Sequence, residues 1–194
     1  MTNLARPSYY DDLAASRAEA WRLLSEAATD PLAPMRRLTL ATVGLDARPR
    51  ARTVVLRKAD PGAWRVRFHA DTRSDKIAEI AADPRTALCA WDRDERAQIR
   101  LEGIGRVHAG DDIARIAWVA VPEEARSLYA VEPAPGEAIG EGGAYAPAPG
   151  GDGGFRHFAV VEVAVATLEW LYLGRGGHRR ALFERAGGMR WLTP

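Results

Sequence analysis

The chain has 194 residues, 47% of them hydrophobic and 27% charged, with a formal net charge of +1. These proportions are ordinary for a soluble globular protein, and the length suits one domain with a sizeable core. The small net charge supplies no global basic field for nucleic acid, so any basic site must be local.

The one cysteine, Cys89, cannot form an internal disulfide or a thiolate metal site. Its setting, Thr86-Ala87-Leu88-Cys89-Ala90-Trp91, marks it as a small buried filler. Residues 1–10 lack the apolar core of a signal peptide. The most apolar stretch, 158–173, is broken by Glu162 and Glu169 and is too short and too charged to span a bilayer. The expected setting is the reducing cytoplasm, with neither membrane nor nucleic acid as partner.

In chain order, residues 11–28 predict an amphipathic helix with Leu13, Trp21, Leu24 and Ala28 near one face, ended by Asp30-Pro31. Strands follow at 37–43, 50–58 and 64–70, the last alternating Trp64, Val66, Phe68 and Ala70 against Arg65, Arg67 and His69. Asp71-Thr72-Arg73-Ser74 is a helix entry with an oxygen-bearing cap, and Asp83-Pro84 ends that helix. Residues 85–91 and 97–107 predict an antiparallel pair, and 111–119 and 122–131 short helices. Residues 132–154 contain eight glycines and four prolines, which predicts a long mobile loop. Strands resume at 155–173, 179–184 and 189–192. Six or seven strands in hairpins with a few helices predict a mainly β, single-domain small barrel with peripheral helices over residues 1–194.

Three segments carry candidate chemistry. Arg52-Thr53-Val54-Val55-Leu56-Arg57 places two guanidinium groups around an apolar strand centre that could underlie a flat ring. Phe68-His69-Ala70-Asp71-Thr72-Arg73-Ser74-Asp75-Lys76 sets Arg73, Ser74 and Lys76 at a strand-to-helix junction, where free amides and the helix dipole favour an anion. Gln98-Ile99-Arg100 puts Gln98 and Arg100 on one strand face, and an amide can both donate to and accept from the edge of a flavin ring.

The order of these segments, with Asp83-Pro84-Arg85, Trp91 and Glu102-Gly103 between or after them, resembles the pyridoxamine 5′-phosphate oxidase family over about residues 35–110. The match resumes weakly at Leu168-Glu169-Trp170, His178-Arg179 and the closing Arg190-Trp191-Leu192-Thr193-Pro194. The resemblance implies a split β-barrel that binds FMN at the interface of a homodimer. It implies that Arg52, Thr53, Val54, Val55, Leu56, Arg57, His69, Ala70, Ser74, Asp75 and Lys76 line one flavin, with Gln98 on its ring.

The departures from the family pattern matter. Asp75 stands where the oxidases carry arginine, with Arg73 two residues earlier as a compensating cation. The oxidases' Arg-Leu-His-x-Arg motif reads Arg179-Arg180-Ala181-Leu182-Phe183, keeping Arg179 alone. The tryptophan expected beside the flavin is Leu171, with Trp170 one position off. Residues 122–131 do not reproduce the substrate-phosphate arm. The flavin half is kept and the pyridoxal-phosphate half eroded, so the expectation is an FMN-dependent oxidoreductase of another small molecule. The alternatives are a genuine pyridoxamine/pyridoxine 5′-phosphate oxidase, and a non-catalytic flavin-binding or protein-interaction barrel. The loop at 132–154 is a candidate lid, with Tyr145 able to cover a ring face and Glu137 and Glu141 able to dock beside Arg179 and Arg180.

Overall fold

The computed structural model describes residues 7–143, 152–174 and 176–194. Eight strands lie among them rather than six or seven: β1 (Arg37–Val43), β2 (Pro49–Asp60), β3 (Arg65–Asp71), β4 (Arg85–Asp92), β5 (Ala97–Ala109), β6 (Phe158–Gly174), β7 (Gly177–Glu184) and β8 (Met189–Leu192). All their pairings are antiparallel. The order is β3-β2-β1-β4-β5-β6-β7-β8, and β3 also pairs with β6. Strands β1 to β6 therefore close a six-stranded barrel, from which β7 and β8 extend as a wing.

The length of β6, 17 residues, makes both parts possible. Residues 158–164 pair with β3 and residues 167–174 with β7. The exchange of partner falls at a bulge, where the ladder with β5 slips from Glu102↔Thr167 to Gly103↔Val165. Glycine is needed at 103, because a Cβ there would lie 2.2 Å from the carbonyl oxygen of Ala164.

Alternation decides what fills the barrel. Leu38, Leu40, Val54, Leu56, Val66 and Phe68 point inward and are buried. Helix α1 (Leu13–Thr29) adds Trp21, Leu23, Leu24 and Ala27 to this core, and α2 (Asp75–Ala82) adds Ile80. Cys89, expected as a buried filler, is half-buried on the outer face instead, because its neighbours Leu88 and Ala90 take the inward positions.

A second core lies outside the barrel wall. Helix α3 (Asp112–Val119), the short α4 (Glu123–Arg126) and two 3-10 turns, Ser127–Tyr129 and Asp152–His157, form a lobe. Its Ala114, Trp118 and Val121 pack on Phe158 and Val160 of β6. The far end of the glycine-rich stretch is part of this core, contrary to the expectation from composition. Trp118 Nε1 donates to Asp152 Oδ1 at 2.8 Å, and a Cβ on buried Gly154 would lie 2.8 Å from the carbonyl of Arg126. Residues 144–151, with Tyr145, lie outside the described residues. Among those described, no helix is long and apolar enough to cross a membrane.

Candidate functional site

The β2–β3 ladder runs from Asp60↔Arg65 to Leu56↔Phe68 and stops there. Beyond it, residues 49–55 of β2 stay paired with β1, and residues 69–71 of β3 stay paired with β6. The edges carrying Arg52–Val55 and His69–Asp71 thus share no ladder, and α2 begins just beyond, at Asp75.

Ser74 is the N-cap residue of α2, but its hydroxyl does not cap the helix as expected. It donates to the Asp71 carbonyl at 2.6 Å and accepts from Lys76 Nζ at 2.9 Å. In the first turn the Ile77 amide donates to the Ser74 carbonyl at 2.9 Å, and the amides that precede it at a helix N-terminus have no intrahelical acceptor, which favours an anion. Lys76 is half-buried, with no carboxylate within ion-pair distance among the described residues. Burial first, and then Arg52, lowers its pKa from 10.5. Arg52 donates to Thr42 Oγ1 and, at 2.6 Å, to Glu79 Oε2. Thr42 donates to that same buried carboxylate oxygen at 2.6 Å. A buried acid therefore fixes Arg52, while the neighbouring ammonium has no carboxylate in ion-pair contact among the described residues.

Arg73 has a different task from the one expected. Its guanidinium grips Asp71 through Nε at 3.0 Å and Nη2 at 2.8 Å, and its Nη1 donates to the Val131 carbonyl and Glu132 Oε2 at 3.0 Å. It is committed to tying the start of the glycine-rich stretch to the β3–α2 corner. Asp75 is exposed in the first turn of α2.

Next to this corner a cavity of about 650 Å³ opens between the barrel wall and the lobe. The wall supplies Arg57, Lys58, Arg67, His69 and Val160; the lobe supplies Ile113, Ile116, Ala117, Val121, Leu128 and Tyr129. Arg57 is the extra residue of a β-bulge between Leu56 and Lys58, which re-aims its side chain. Arg67 is bound to buried Glu162 at 2.6 Å, and Arg65 takes the other oxygen at 2.9 Å. Arg36 caps α1 through the carbonyls of Ala27 and Ala28. Arg57 and Lys58 are left as wall cations with no ion pair among the described residues. Burial, then Arg36, lowers the Arg57 pKa. His69 meets Phe158 edge-on, with ring centroids 4.8 Å apart, and burial followed by the charge of Arg57 pushes its pKa down to about 4. Val54, Leu56 and Ala70 point into the barrel, so along β2 the outward side chains are Thr53, Val55 and Arg57, of which Arg57 lines the cavity.

Three predicted residues lie elsewhere. Gln98 is on β5, which β4 and β1 separate from β2, roughly 14 Å at about 4.8 Å per strand. Trp170 is fully buried in the barrel core, stacked on Tyr172 at 6.0 Å and met edge-on by Tyr9 at 5.8 Å. Arg179 lies over the Tyr10 ring at 4.2 Å and pairs with Asp11 at 2.8 Å, while Arg180 pairs with Glu169 at 2.8 Å. Neither arginine pairs with Glu137 or Glu141.

A row of outward residues was missed. Trp91↔Gln98, Gln98↔Leu171 and Leu171↔Arg180 are successive partners across β4, β5, β6 and β7. Ala181 and Phe183 are fully buried, so the expected histidine and arginine positions belong to the core. The outward face of β7 begins with His178 and Arg180, followed by Leu182 and Glu184, which gives a His-x-Arg spacing displaced from the register read above. Counting alternation back from an inward Phe183 is the signal that finds it.

The family model described as pyridoxamine 5′-phosphate oxidase, FMN-binding domain, matches residues 18–109. The pyridoxine/pyridoxamine 5′-phosphate oxidase of Thermosynechococcus vestitus is 31% identical over 191 residues, covering 91% of this chain and 86% of that one. The corresponding oxidase 2 of Arabidopsis thaliana is 36% identical over 104 residues, covering 50% of this chain and 52% of its own. Two solved structures share the fold. A pyridoxamine 5′-phosphate oxidase-related FMN-binding protein of Nostoc punctiforme has TM-score 0.68 at 24% identity, covering 98% of this chain and 99% of that one. PhzG of Burkholderia lata, in complex with tetrahydrophenazine-1-carboxylic acid, has TM-score 0.73 at 18% identity and covers 98% of both chains.

Proposed function

The chain belongs to the pyridoxamine 5′-phosphate oxidase family and carries its FMN-binding domain, and on that premise we propose a homodimeric, cytoplasmic FMN-dependent oxidoreductase that holds the flavin phosphate at the β3–α2 corner. One observation carries the placement: the half-buried Lys76 ammonium, short of a carboxylate, beside an uncapped helix N-terminus. Such a site suits a phosphate dianion. Lys76 would supply the charge and the Asp75 and Lys76 amides hydrogen bonds, while Glu79 holds the Arg52 guanidinium beside them and Ser74 Oγ, donating to the Asp71 carbonyl, positions the ammonium.

Bound FMN supplies the redox chemistry. The chain's own part is to orient and to exclude water. Arg57 sets a positive potential at the cavity wall, and His69, with its pKa near 4, stays neutral at pH 7 and adds no charge there. The lobe side chains give the space between lobe and wall one apolar side.

The outward row argues for a second copy. Gln98 and Arg180 face away from the core, several strands from β2. A two-fold partner is the simplest way to bring them to a flavin, since an isologous contact offers each site the same patch. The exposed outward residues Trp91, Ile104 and Leu173 give that face apolar area to bury.

Calorimetry with FMN and riboflavin tests the flavin reading: FMN should bind clearly more tightly, because riboflavin lacks the phosphate. Equal affinity, or no binding of either, would overturn it. Light scattering at micromolar concentration tests the dimer, and a monomer with FMN tightly bound refutes it. The His178-x-Arg180 spacing favours one second reading, retained pyridoxamine-phosphate oxidation. Steady-state turnover near ~1 s⁻¹ would establish it.

A further inference from the structure

We propose that Arg73 is a positioning residue: it does not meet the flavin phosphate, and instead ties the β3–α2 turn that carries Ser74 and Lys76 to the base of the helical lobe. The proposal rests on the flavin-phosphate reading above and assigns a residue that serves it from outside the binding contacts.

The turn is built on Asp71. Its Oδ1 accepts from the Arg73 amide at 2.8 Å, and its carbonyl accepts from the Ser74 amide at 3.1 Å and the Ser74 hydroxyl at 2.6 Å. Ser74 Oγ in turn accepts from Lys76 Nζ at 2.9 Å. The place of the ammonium is thus inherited from Asp71. The Arg73 guanidinium holds Asp71, with Nε on one oxygen at 3.0 Å and Nη2 on the other at 2.8 Å. Its remaining nitrogen, Nη1, reaches across to the Val131 carbonyl and Glu132 Oε2, both at 3.0 Å.

Val131 and Glu132 lie where the chain first leaves the lobe. Where the lobe ends, the His157 carbonyl accepts from the Thr72 amide at 2.7 Å, and Glu132 Oε1 lies 3.7 Å from both Arg156 Nη2 and His157 Nε2. Both ends of the glycine-rich stretch are therefore fastened at one turn, and Arg73 is the side chain common to the turn and the lobe. Just before Val131, Tyr129 meets Trp118 and Phe158 edge-on in the second core, so the tie reaches the packing of the lobe.

Charge argues against a phosphate contact by Arg73. The side chains of Arg73 and Asp71 are 17% and 10% exposed. To turn towards a phosphate, the guanidinium would leave a nearly buried carboxylate uncompensated beside an incoming dianion, and breaking a buried pair on one side is strongly destabilising. A planar fork serves acceptors in two directions at once, whereas a lysine ammonium is a point charge on a flexible stem.

Arg73→Lys keeps the charge and loses the fork, and Arg73→Gln loses both. Asp71→Asn with Arg73→Gln removes both charges of the pair, which keeps the test open should the single glutamine variant not fold. In calorimetry, each should raise the Kd for FMN at least about fivefold, the effect of about one hydrogen bond, with riboflavin affinity unchanged. In a Lys76→Met background, Arg73→Lys should change FMN affinity less than about twofold, because its effect passes through the ammonium. FMN binding to Arg73→Lys as tightly as to wild type, an undiminished effect in the Lys76→Met background, or equal weakening of riboflavin overturns the proposal. Hydrogen exchange of the flavin-free protein reads the other end of the tie: Arg73→Lys should speed exchange in residues 127–132 at least about tenfold with α1 unaltered, and unchanged exchange there overturns the link to the lobe. A wild type that binds no FMN defeats the flavin reading instead, and the exchange measurement, which needs no flavin, then decides the link by itself.

Discussion

Replacing Lys76 by methionine keeps an unbranched apolar stem and deletes the ammonium. In the free protein that ammonium has the Ser74 hydroxyl as partner at 2.9 Å and no paired carboxylate among the described residues, so its removal orphans no ion-pair partner there. Its lowered pKa means that the folded chain holds the proton less tightly than the unfolded chain does. The charged lysine therefore costs stability at neutral pH, and Lys76→Met should leave the flavin-free protein at least as stable as wild type. Against a phosphate, one charge-assisted hydrogen bond contributes about 1.5–3 kcal/mol, so the Kd for FMN should rise about 10- to 150-fold. Riboflavin affinity should not change. The pH dependence gives a second signature: wild-type FMN affinity should fall as pH rises through the lysine pKa, below 10.5, and the variant should lack that fall. Calorimetry with both flavins, at neutral and alkaline pH, reads all of this. Equal weakening of FMN and riboflavin, or no change in either, would show that Lys76 does not meet the phosphate.

His69 is held neutral, with its pKa near 4 against an ordinary 6.5, so the unfolded chain takes up a proton in that window and the folded chain does not. Stability should therefore fall as pH drops from about 6.5 towards 4, by at most about 3 kcal/mol at 1.36 kcal/mol per unit, and urea titrations of wild type against His69→Gln should show the difference narrowing across that window; a constant difference contradicts the burial argument. Gly103→Ala sets a methyl group 2.2 Å from the Ala164 carbonyl oxygen, at the bulge where β6 changes partner. It should destabilise the protein by about 1–3 kcal/mol in urea unfolding, and a shift below about 0.5 kcal/mol would mean that the backbones do not meet there.

Much of the barrel was legible because alternation is a local signal. Leu38/Leu40 and Val66/Phe68 announce shared faces at a period of two, and each pair is buried in the barrel. Asp30-Pro31 and Asp83-Pro84 mark two helix ends within a residue or two. The strand-to-helix corner was legible for the same reason, since Ser74 and Lys76 sit at one junction within a short segment.

Side-chain orientation and partnership were not legible. Residues 52–57 read as one motif, yet Val54 and Leu56 face the core, and a bulge that depends on β3 turns Arg57 outward. Arg73 and Lys76 look like equivalent cations in the chain, and their difference arises from Asp71 and from Val131 and Glu132, about sixty residues away. The shift at Trp170, Ala181 and Phe183 is a question of register, where one residue exchanges core for surface. The sequence by itself determined the strands, the family pattern and the strand-to-helix corner at Ser74, because each depends on neighbouring residues and a fixed backbone period. The tertiary structure alone decided which cations stay unpaired and that a carbon-lined lobe faces Arg57, because those depend on distant segments meeting across the closed barrel.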